Sequence, residues 1–315
     1  SRRPGKGYCV NIDVIIPVYR PDGRLTELIS RLQDQTRPVR DIILMNTEES
    51  LFEEFARRTE FWKKFSMVKV WHVSKREFDH GGTRHAGVQH SDGEIFVTMT
   101  QDAMPADRDL ILNLTRRLEG NTAAAYARQL PSAHSSLPER ISRAFNYPEQ
   151  SRLKSSADLD TLGIKTFFCS NVCAAYRRDI YDELGGFIRH TIFNEDMIYA
   201  ADAVRAGYAI AYEADARVIH SHDYTNLQQL HRNFDLGVSQ ADHPEVFRGV
   251  PSEGEGMKMV REVFKQMRIQ GKLYRFPGFC IQCGFRYTGY LLGKHYRRLP
   301  RRWILALTGN REYWK

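Results

Sequence analysis

The feature that most constrains the fold of this chain is an alternation of short apolar runs and amphipathic segments across its first hundred residues. Apolar, β-branched-rich runs occur at 12–17, 41–46, 67–73 and 95–100. Apolar residues recur at helical spacing over 23–35, and a second helix is predicted at 82–90, after paired glycines. Strands and helices that alternate in this way predict an α/β fold, a doubly wound and mostly parallel sheet with flanking helices.

Several residues that suit ligand binding follow the predicted strands. They are Tyr19, Asn46, residues 78–82 including Asp79, and the pair Gln101–Asp102. Pro17 is expected to end the first strand. Because ligands bind beyond the carboxyl ends of the strands in doubly wound sheets, we expect these residues to form one pocket.

The pattern loosens after Asp102. The chain that follows is divided into predicted helices at 107–118, 177–184 and 196–206, strands at 122–127, 208–213 and 218–220, and an apolar stretch at 164–176. The polar stretch 131–162 contains Pro131, Pro138 and Pro148 and is predicted to be a long loop region.

Charge is distributed unevenly along the 315 residues. The composition, with 42% apolar and 27% charged residues, is typical of a globular enzyme. Residues 258–315 contain 14 Lys and Arg but only 2 Glu, a net charge of +12, which leaves −4 for residues 1–257 out of the total of +8. The chain is therefore a mildly acidic body with a strongly basic C-terminal segment.

Aromatic residues, including Trp303 and Trp314, are interleaved with the basic residues of this segment. This combination suits the headgroup region of an anionic membrane, and we favour a peripheral membrane contact. A solvated helical subdomain or a homo-oligomer contact is the alternative, whereas a nucleic-acid partner is not expected.

The sequence also indicates where the protein is located and whether its cysteines could bind zinc. No apolar run approaches the ~18–20 residues that span a bilayer. The five cysteines, an odd number, favour reduced thiols in the cytoplasm. Their spacing, Cys169-x3-Cys173 and Cys280-x2-Cys283, does not match a four-ligand zinc site. We expect a cytoplasmic protein at the inner face of the cell membrane.

Three short polar stretches occur in an informative order. Thr100–Ala103 follows an apolar strand, Asn194–Asp196 opens a predicted helix, and His220–His222 closes a later strand. An acid at a strand end, a later acid pair and a still later histidine pair are the parts that a metal-assisted transfer from a nucleoside diphosphate requires.

Four motifs give the chain a resemblance to family 2 glycosyltransferases with the GT-A fold, a Rossmann-like, mostly parallel sheet. They are Val14–Tyr19, Phe78–Arg84, Thr100–Pro105 and Arg232–Val238. The last three are similar to the bacterial rhamnosyltransferase branch, which uses dTDP-L-rhamnose in cell-surface polysaccharide synthesis. The resemblance covers roughly residues 11–247.

The resemblance implies that Asp102 binds a metal ion. The chain has Gln101-Asp102-Ala103 where the family usually has two acids, so it supplies only one carboxylate there. Carboxylate and phosphate oxygens suit Mg²⁺ or Mn²⁺. The alternative is that Asp102 caps the following helix.

His220 and His222 lie two residues apart, so on a strand they share a face. One of them could complete the metal site, because Mn²⁺ accepts imidazole more readily than Mg²⁺ does. The position of the family's late histidine favours His220, and His222 remains open. The alternative for either histidine is ordinary packing.

The pair Glu195–Asp196 is the candidate base site. Inversion at the anomeric carbon requires a base that takes the proton of the acceptor hydroxyl. The resemblance points to Asp196 as this base and leaves Glu195 a supporting role in acceptor binding. The alternative is that Asn194 caps a helix whose first turn carries two acids, and both can hold.

Further residues are candidates for contacts with the nucleotide. Arg84 follows two glycines near a predicted helix start, where a guanidinium and free backbone N–H groups can meet phosphate, unless it is a solvated surface arginine. The residue that follows Arg84 is His85, whereas many family members have Asn at that position. Tyr19 could lie beside the pyrimidine, and Asp79 could contact the base or ribose.

The sequence therefore predicts an inverting, metal-dependent glycosyltransferase that passes L-rhamnose from dTDP-L-rhamnose to a lipid-linked glycan. A UDP-hexose donor and a non-catalytic docking protein are the alternatives, and the presence of both Asp102 and Asp196 favours the enzyme.

We divide the chain into a catalytic domain, 1–255, and a C-terminal extension, 256–315. The catalytic domain has a nucleotide-binding half, about 1–103, and an acceptor half, about 104–255.

Overall fold

A computed structural model of the protein describes residues 10–222, 224–249 and 253–315. Within these residues, nine strands form a single sheet. They are β1 Ile12–Tyr19, β2 Asp41–Thr47, β3 Lys69–Val73, β4 Ile95–Met99, β5 Met104–Pro105, β6 Thr122–Leu130, β7 Arg152–Lys154, β8 Cys173–Arg177 and β9 Ala209–Ile219.

Helices cover both faces of the sheet and make up the C-terminal segment. They are α1 Gly23–Gln33, α2 Glu49–Thr59, α3 Phe61–Lys64, α4 His80–Gln89, α5 Leu110–Thr115, α6 Leu137–Asn146, α7 Leu159–Leu162, α8 Arg178–Glu183, α9 Glu195–Arg205, α10 Asn226–Asp242, α11 Pro244–Phe247, α12 Glu253–Ile269, α13 Phe276–Lys294 and α14 Arg301–Leu307.

The strand order is β3-β2-β1-β4-β8-β6-β9-β5, with β7 paired to β9. β1 is parallel to both β2 and β4, β2 is parallel to β3, and β6 is parallel to β9. The predicted α/β class with a mostly parallel sheet is therefore confirmed. β8 is antiparallel to β4, so its amino end meets the carboxyl end of β4 and adds residues to the edge where ligands are expected.

β1 shows why a short apolar run forms a central strand. Its residues alternate between two core clusters, with Val14 and Ile16 on one face of the sheet and Ile15 on the other. A strand buried on both faces is apolar at successive positions, because helices cover both sides of a parallel sheet.

Pro17 does not end β1, so this prediction is wrong. The strand continues to Tyr19 in register with β2, while its pairing with β4 stops at Ile15. Proline lacks an N–H donor. Because β1 no longer pairs with β4 at position 17, the proline costs no hydrogen bond to that strand.

The prediction of a long loop region over 131–162 is also wrong. This stretch contains α6, β7 and α7. Ser136 caps α6 by accepting a hydrogen bond from the N–H of Glu139, and Pro138 lies in the first turn. Proline is compatible with a helix start because that N–H has no partner within the helix.

The C-terminal helices pack directly on the rest of the chain. α13 crosses α10 so closely that a Cβ atom at Gly289 or Gly293 would overlap the carbonyl oxygens of Leu230 and Phe234. Glycine allows this approach of two backbones. Val263 and Phe279 form a buried cluster with Ile141 of α6. Part of the aromatic C-terminal segment is therefore core, while Trp303 is 53% exposed.

Candidate active site

Asp102, His220 and His222 form a cluster of candidate metal ligands. The antiparallel pairing of Met104 with Ile219 brings the end of the β4 segment beside the end of β9. The Nε2 atom of His222 lies 3.1 Å from an Asp102 oxygen and 3.0 Å from His220 Nε2. His220 Nε2 is 3.6 Å from the other Asp102 oxygen.

These spacings fit one divalent ion. Ligand atoms at right angles around an ion at ~2.1 Å are ~3 Å apart, and the three atoms lie within 4.8 Å of one another. Burial would raise the pKa of Asp102, but its close contacts with His222 and His220 hold the pKa below its usual range. Burial lowers the pKa of His220 to about 3. A carboxylate and a neutral imidazole are the forms that bind metal.

A second interaction orients His220. Its Nδ1 lies 3.0 Å from Gln129 Oε1. Because the amide oxygen only accepts hydrogen bonds, Nδ1 carries the proton and Nε2 keeps its lone pair for a metal. Both histidines thus lie beside Asp102, and the structure brings both of the predicted candidates to the same place. The helix-cap alternative for Asp102 is wrong, because Asp109 precedes α5.

Asp196 lies in the first turn of α9 and is partly exposed to a cavity. One of its oxygens accepts the N–H of Asn171, at 2.9 Å, and the other accepts the N–H of Met197, at 2.8 Å. Burial and the neighbouring Glu195 carboxylate raise the pKa of Asp196 to about 7, against these two hydrogen bonds. A carboxyl with this pKa can take and release a proton near neutral pH.

Glu195 and Arg84 form a buried ion pair, with 3.1 Å between Oε1 and the guanidinium. Arg84 lies in the second turn of α4, which begins at His80, so the alternative of a solvated surface arginine is wrong. Burial would raise the pKa of Glu195, but the charges of Arg84 and His80 hold it below its ordinary value. Asn171 also donates to Glu195, at 3.0 Å.

Asn194 precedes α9 but does not cap it, so that expectation is wrong. It adopts a left-handed conformation with φ of 66°, and its side chain donates to Ser239 of α10 instead. The residue turns the chain so that Glu195 and Asp196 point toward the cavity while Asn194 is tied to α10.

One cavity of 390 Å³ joins these groups. Its lining includes the two histidines of the metal cluster, Asp196, Glu195 and Arg84. Three further cationic side chains, Arg143, Arg232 and Arg286, come from α6, α10 and α13. The cavity is therefore built by both halves of the body and by the C-terminal segment together.

The remaining predicted nucleotide-binding residues lie near the strand ends, outside this lining. Gln101 exchanges two hydrogen bonds with the backbone of Tyr19. Asn46 is buried against His72 and the Glu48 carbonyl. Asp79 caps α4 and accepts the N–H of Thr191. Their side chains fix the strand ends, and their roles in nucleotide binding stay predictions.

The sequence did not single out four residues that the structure places at the cavity: Gln129, Arg143, Asn171 and Arg286. Gln129 and Asn171 act through hydrogen bonds to His220, Glu195 and Asp196 that cross the sheet. Arg286 lay in a segment interpreted only by its net charge. Nothing in the local sequence marks any of the four, because their partners are distant along the chain.

Comparison with known proteins decides the family. The model of "Glycosyl transferase family 2" matches residues 13–185. This chain belongs to that family. The predicted membership and the enzymatic class are thus confirmed, and the protein is a glycosyltransferase.

Two curated relatives are similar along almost their whole length. The O-antigen chain rhamnosyltransferase RfbN of Salmonella typhimurium is 34% identical over 97% of this chain and 96% of its own length. The O-antigen chain rhamnosyltransferase WbaN of Salmonella anatum is 34% identical over 96% of this chain and 95% of its own.

Solved structures confirm the GT-A fold of this glycosyltransferase. The mannosyltransferase PcManGT from Pyrobaculum calidifontis, in complex with GDP-Man and Mn²⁺, aligns with a TM-score of 0.56 and 16% identity over 98% of this chain and 84% of its own. TarS 1–349 of S. aureus aligns with a TM-score of 0.51 and 12% identity over 91% of each chain.

Proposed function

We propose that this glycosyltransferase transfers L-rhamnose from dTDP-L-rhamnose to a lipid-linked glycan during the synthesis of a cell-surface polysaccharide, with inversion at the anomeric carbon. The observation that carries this proposal is 34% identity over 97% of the chain to a relative named as an O-antigen rhamnosyltransferase. The cavity supports it chemically, because it combines candidate metal ligands with a carboxyl of suitable pKa.

Asp102, His220 and His222 would hold the divalent cation. The ion, when bound, neutralises the negative charge that the diphosphate gains as the bond to the sugar breaks. Two imidazoles among three protein ligands favour Mn²⁺ over Mg²⁺, which prefers oxygen ligands. Gln129 keeps His220 in the tautomer that this role requires.

Asp196 is the proposed base. Its carboxylate takes the proton of the attacking acceptor hydroxyl, and its pKa of about 7 makes it both ionised and basic enough near neutral pH. Glu195 contributes by raising that pKa and by holding Arg84. Such a base typically contributes ~10²–10⁴-fold to the rate.

Tyr19, Asn46, Asp79 and Gln101 are proposed to line the nucleotide site, with Pro17 shaping the end of β1. They lie at or near the carboxyl ends of strands, which is where doubly wound sheets bind nucleotides. Arg84 is proposed to orient the donor phosphates while it remains paired with Glu195.

A donor screen tests the proposal. The release of nucleoside diphosphate is measured with dTDP-L-rhamnose, UDP-glucose and UDP-N-acetylglucosamine, each with Mn²⁺, with Mg²⁺ and with chelator. We expect dTDP release from dTDP-L-rhamnose that depends on the cation. Faster release from a UDP-hexose would replace the donor assignment, and release that chelator does not affect would remove the metal role.

The C-terminal helices are proposed to contact the membrane. Within the described residues, no helix is long and apolar enough to cross a bilayer. The helices nevertheless expose large apolar side chains beside basic ones. Those used below are Ile281, Tyr287 and Trp303. Apolar insertion combined with attraction to anionic lipid headgroups supports a peripheral contact.

Vesicle binding tests the membrane contact. The triple variant Ile281→Ser, Tyr287→Ser, Trp303→Ser should co-sediment less with phosphatidylglycerol vesicles than the wild type, and wild-type binding should weaken as salt rises. The matched control is Met67→Ser, Trp71→Ser, Leu153→Ser, which removes equally exposed apolar residues from the body. Equal loss in both variants would show that binding is not specific to the C-terminal helices.

A further inference from the structure

We infer that the guanidinium of Arg286 binds a phosphate group of the acceptor, so that the C-terminal helices complete the acceptor site of the enzyme. The ligand class is a phosphate ester that joins the acceptor saccharide to its lipid. This inference rests on the proposed function, because it assigns a binding group to the acceptor of that reaction.

The close packing of α13 on α10 brings Arg286 to the cavity. Gly289 and Gly293 form the contact with α10, and Arg286 lies one turn before Gly289 on the same helix. A side chain at either glycine would push α13 outward and withdraw Arg286. The position of this arginine is thus built into the helix pair rather than left to a flexible segment.

Arg286 has no carboxylate partner among the described residues. Its one side-chain hydrogen bond is a long contact of 3.4 Å to Gln282, and its buried Nε atom has no partner. Burial lowers the pKa of Arg286 relative to an ordinary arginine. A half-buried cation without a counter-ion is costly, and an anionic ligand would reduce that cost.

The charged groups around Arg286 leave a net positive surface. Glu139 is the nearby acid, but its Oε1 is bound by Arg143 at 2.6 Å. Arg232 packs its guanidinium over Phe193, 4.8 Å from the ring centre, and also faces the cavity. Guanidinium groups bind phosphate through pairs of parallel hydrogen bonds, which makes phosphate the favoured ligand.

The location favours the acceptor over the donor. The donor diphosphate would find its counter-charge in the divalent cation that Asp102, His220 and His222 are proposed to hold. Arg286 instead reaches the cavity from α13, the helix that also exposes Ile281 and Tyr287 in the proposed membrane contact. A lipid-linked acceptor that enters from a membrane would place its phosphate between that surface and Asp196.

Calorimetry with octyl phosphate tests this inference without turnover. The full-length protein is first saturated with dTDP and Mn²⁺, so that the donor site is filled, and is then titrated with octyl phosphate. We expect binding to the wild type and affinity at least about tenfold weaker for Arg286→Gln, because a hydrogen-bonded charge contact contributes ~1.5–3 kcal/mol. Arg286→Lys should lie between the two.

The matched control is Arg298→Gln, which removes the same charge from an exposed position of the same segment, and it should bind octyl phosphate as the wild type does. Octyl glucoside, which has the alkyl chain but no phosphate, should bind all variants equally. The melting temperature of unliganded Arg286→Gln should equal or exceed that of the wild type, because the variant lacks an unpaired, half-buried cation.

Equal octyl phosphate affinity in wild type and Arg286→Gln would overturn the inference. So would a parallel loss of dTDP affinity in Arg286→Gln, which would assign Arg286 to the donor diphosphate. A lower melting temperature combined with lost binding would make the residue structural. The donor screen fails or succeeds independently, because it measures nucleotide release and not phosphate binding.

Discussion

The candidate metal cluster and the proposed base site contain the same side chain, aspartate, in two opposite electrostatic settings. Asp102 faces two histidines, and its pKa is held below the ordinary value despite burial. Asp196 is beside another carboxylate, and burial together with that neighbour raises its pKa to about 7. The surroundings of the two carboxyls thus shift their pKa values in opposite directions.

The comparison teaches that neighbours determine function here more than residue type does. An acid that stays ionised over the whole neutral range can hold a cation but is a weak base. An acid with a pKa near 7 can remove a proton efficiently near neutral pH.

Asp196→Asn should lower turnover at least ~10²-fold while dTDP affinity stays within a few-fold of the wild type, because asparagine keeps the shape but cannot take the proton. Steady-state kinetics and calorimetry measure the two quantities. Asp202→Asn, an exposed acid on the same helix, is the control and should be nearly normal. Normal turnover in Asp196→Asn would move the base elsewhere, with Glu195 the next candidate.

Asp102→Ala should abolish the effect of Mn²⁺ on dTDP binding, which we expect to be about tenfold or more in the wild type. The carboxylate is the only anionic ligand of the cluster, so its loss leaves only the two imidazoles. Titration of dTDP with and without Mn²⁺ measures the effect, and Asp92→Ala, an exposed acid of the same half, is the control. A cation effect that survives in Asp102→Ala would place the metal at other ligands.

Gln129→Leu should weaken Mn²⁺ binding by about tenfold, because His220 loses the acceptor that fixes its tautomer and ring orientation. Equilibrium Mn²⁺ titration by electron paramagnetic resonance measures it directly. Gln150→Leu changes an exposed glutamine and should have no effect. If the two variants bind Mn²⁺ equally well, Gln129 does not act through His220.

The activity should depend on pH through Asp196. Since the carboxylate is the active form, kcat/KM should rise as the pH increases toward 7 and level off above it. Glu195→Gln removes the like charge that helps to raise this pKa, so the midpoint should move to lower pH by about one unit. A midpoint that stays in place would show that burial alone sets the pKa of Asp196.

The sequence predicted the first half of the fold well because its elements are local. β1, β2 and β4 each contain a run of apolar residues, and α1 carries its apolar residues at helical spacing.

The stretch 131–162 was misinterpreted because its prolines and polar residues resemble a loop. Ser136 and Pro138 in fact start a helix whose apolar face is covered by the distant α12.

The amino-acid sequence was sufficient to predict the family, the sheet and the acid and histidine candidates, because short motifs at strand ends carry that information. Folding was needed to show that both histidines lie beside Asp102, that Arg84 is buried against Glu195, and that Arg286 lines the cavity. These outcomes depend on pairs of side chains far apart along the chain. Burial and charge act through space, so their effect on a pKa or an unpaired cation exists only once the chain has folded.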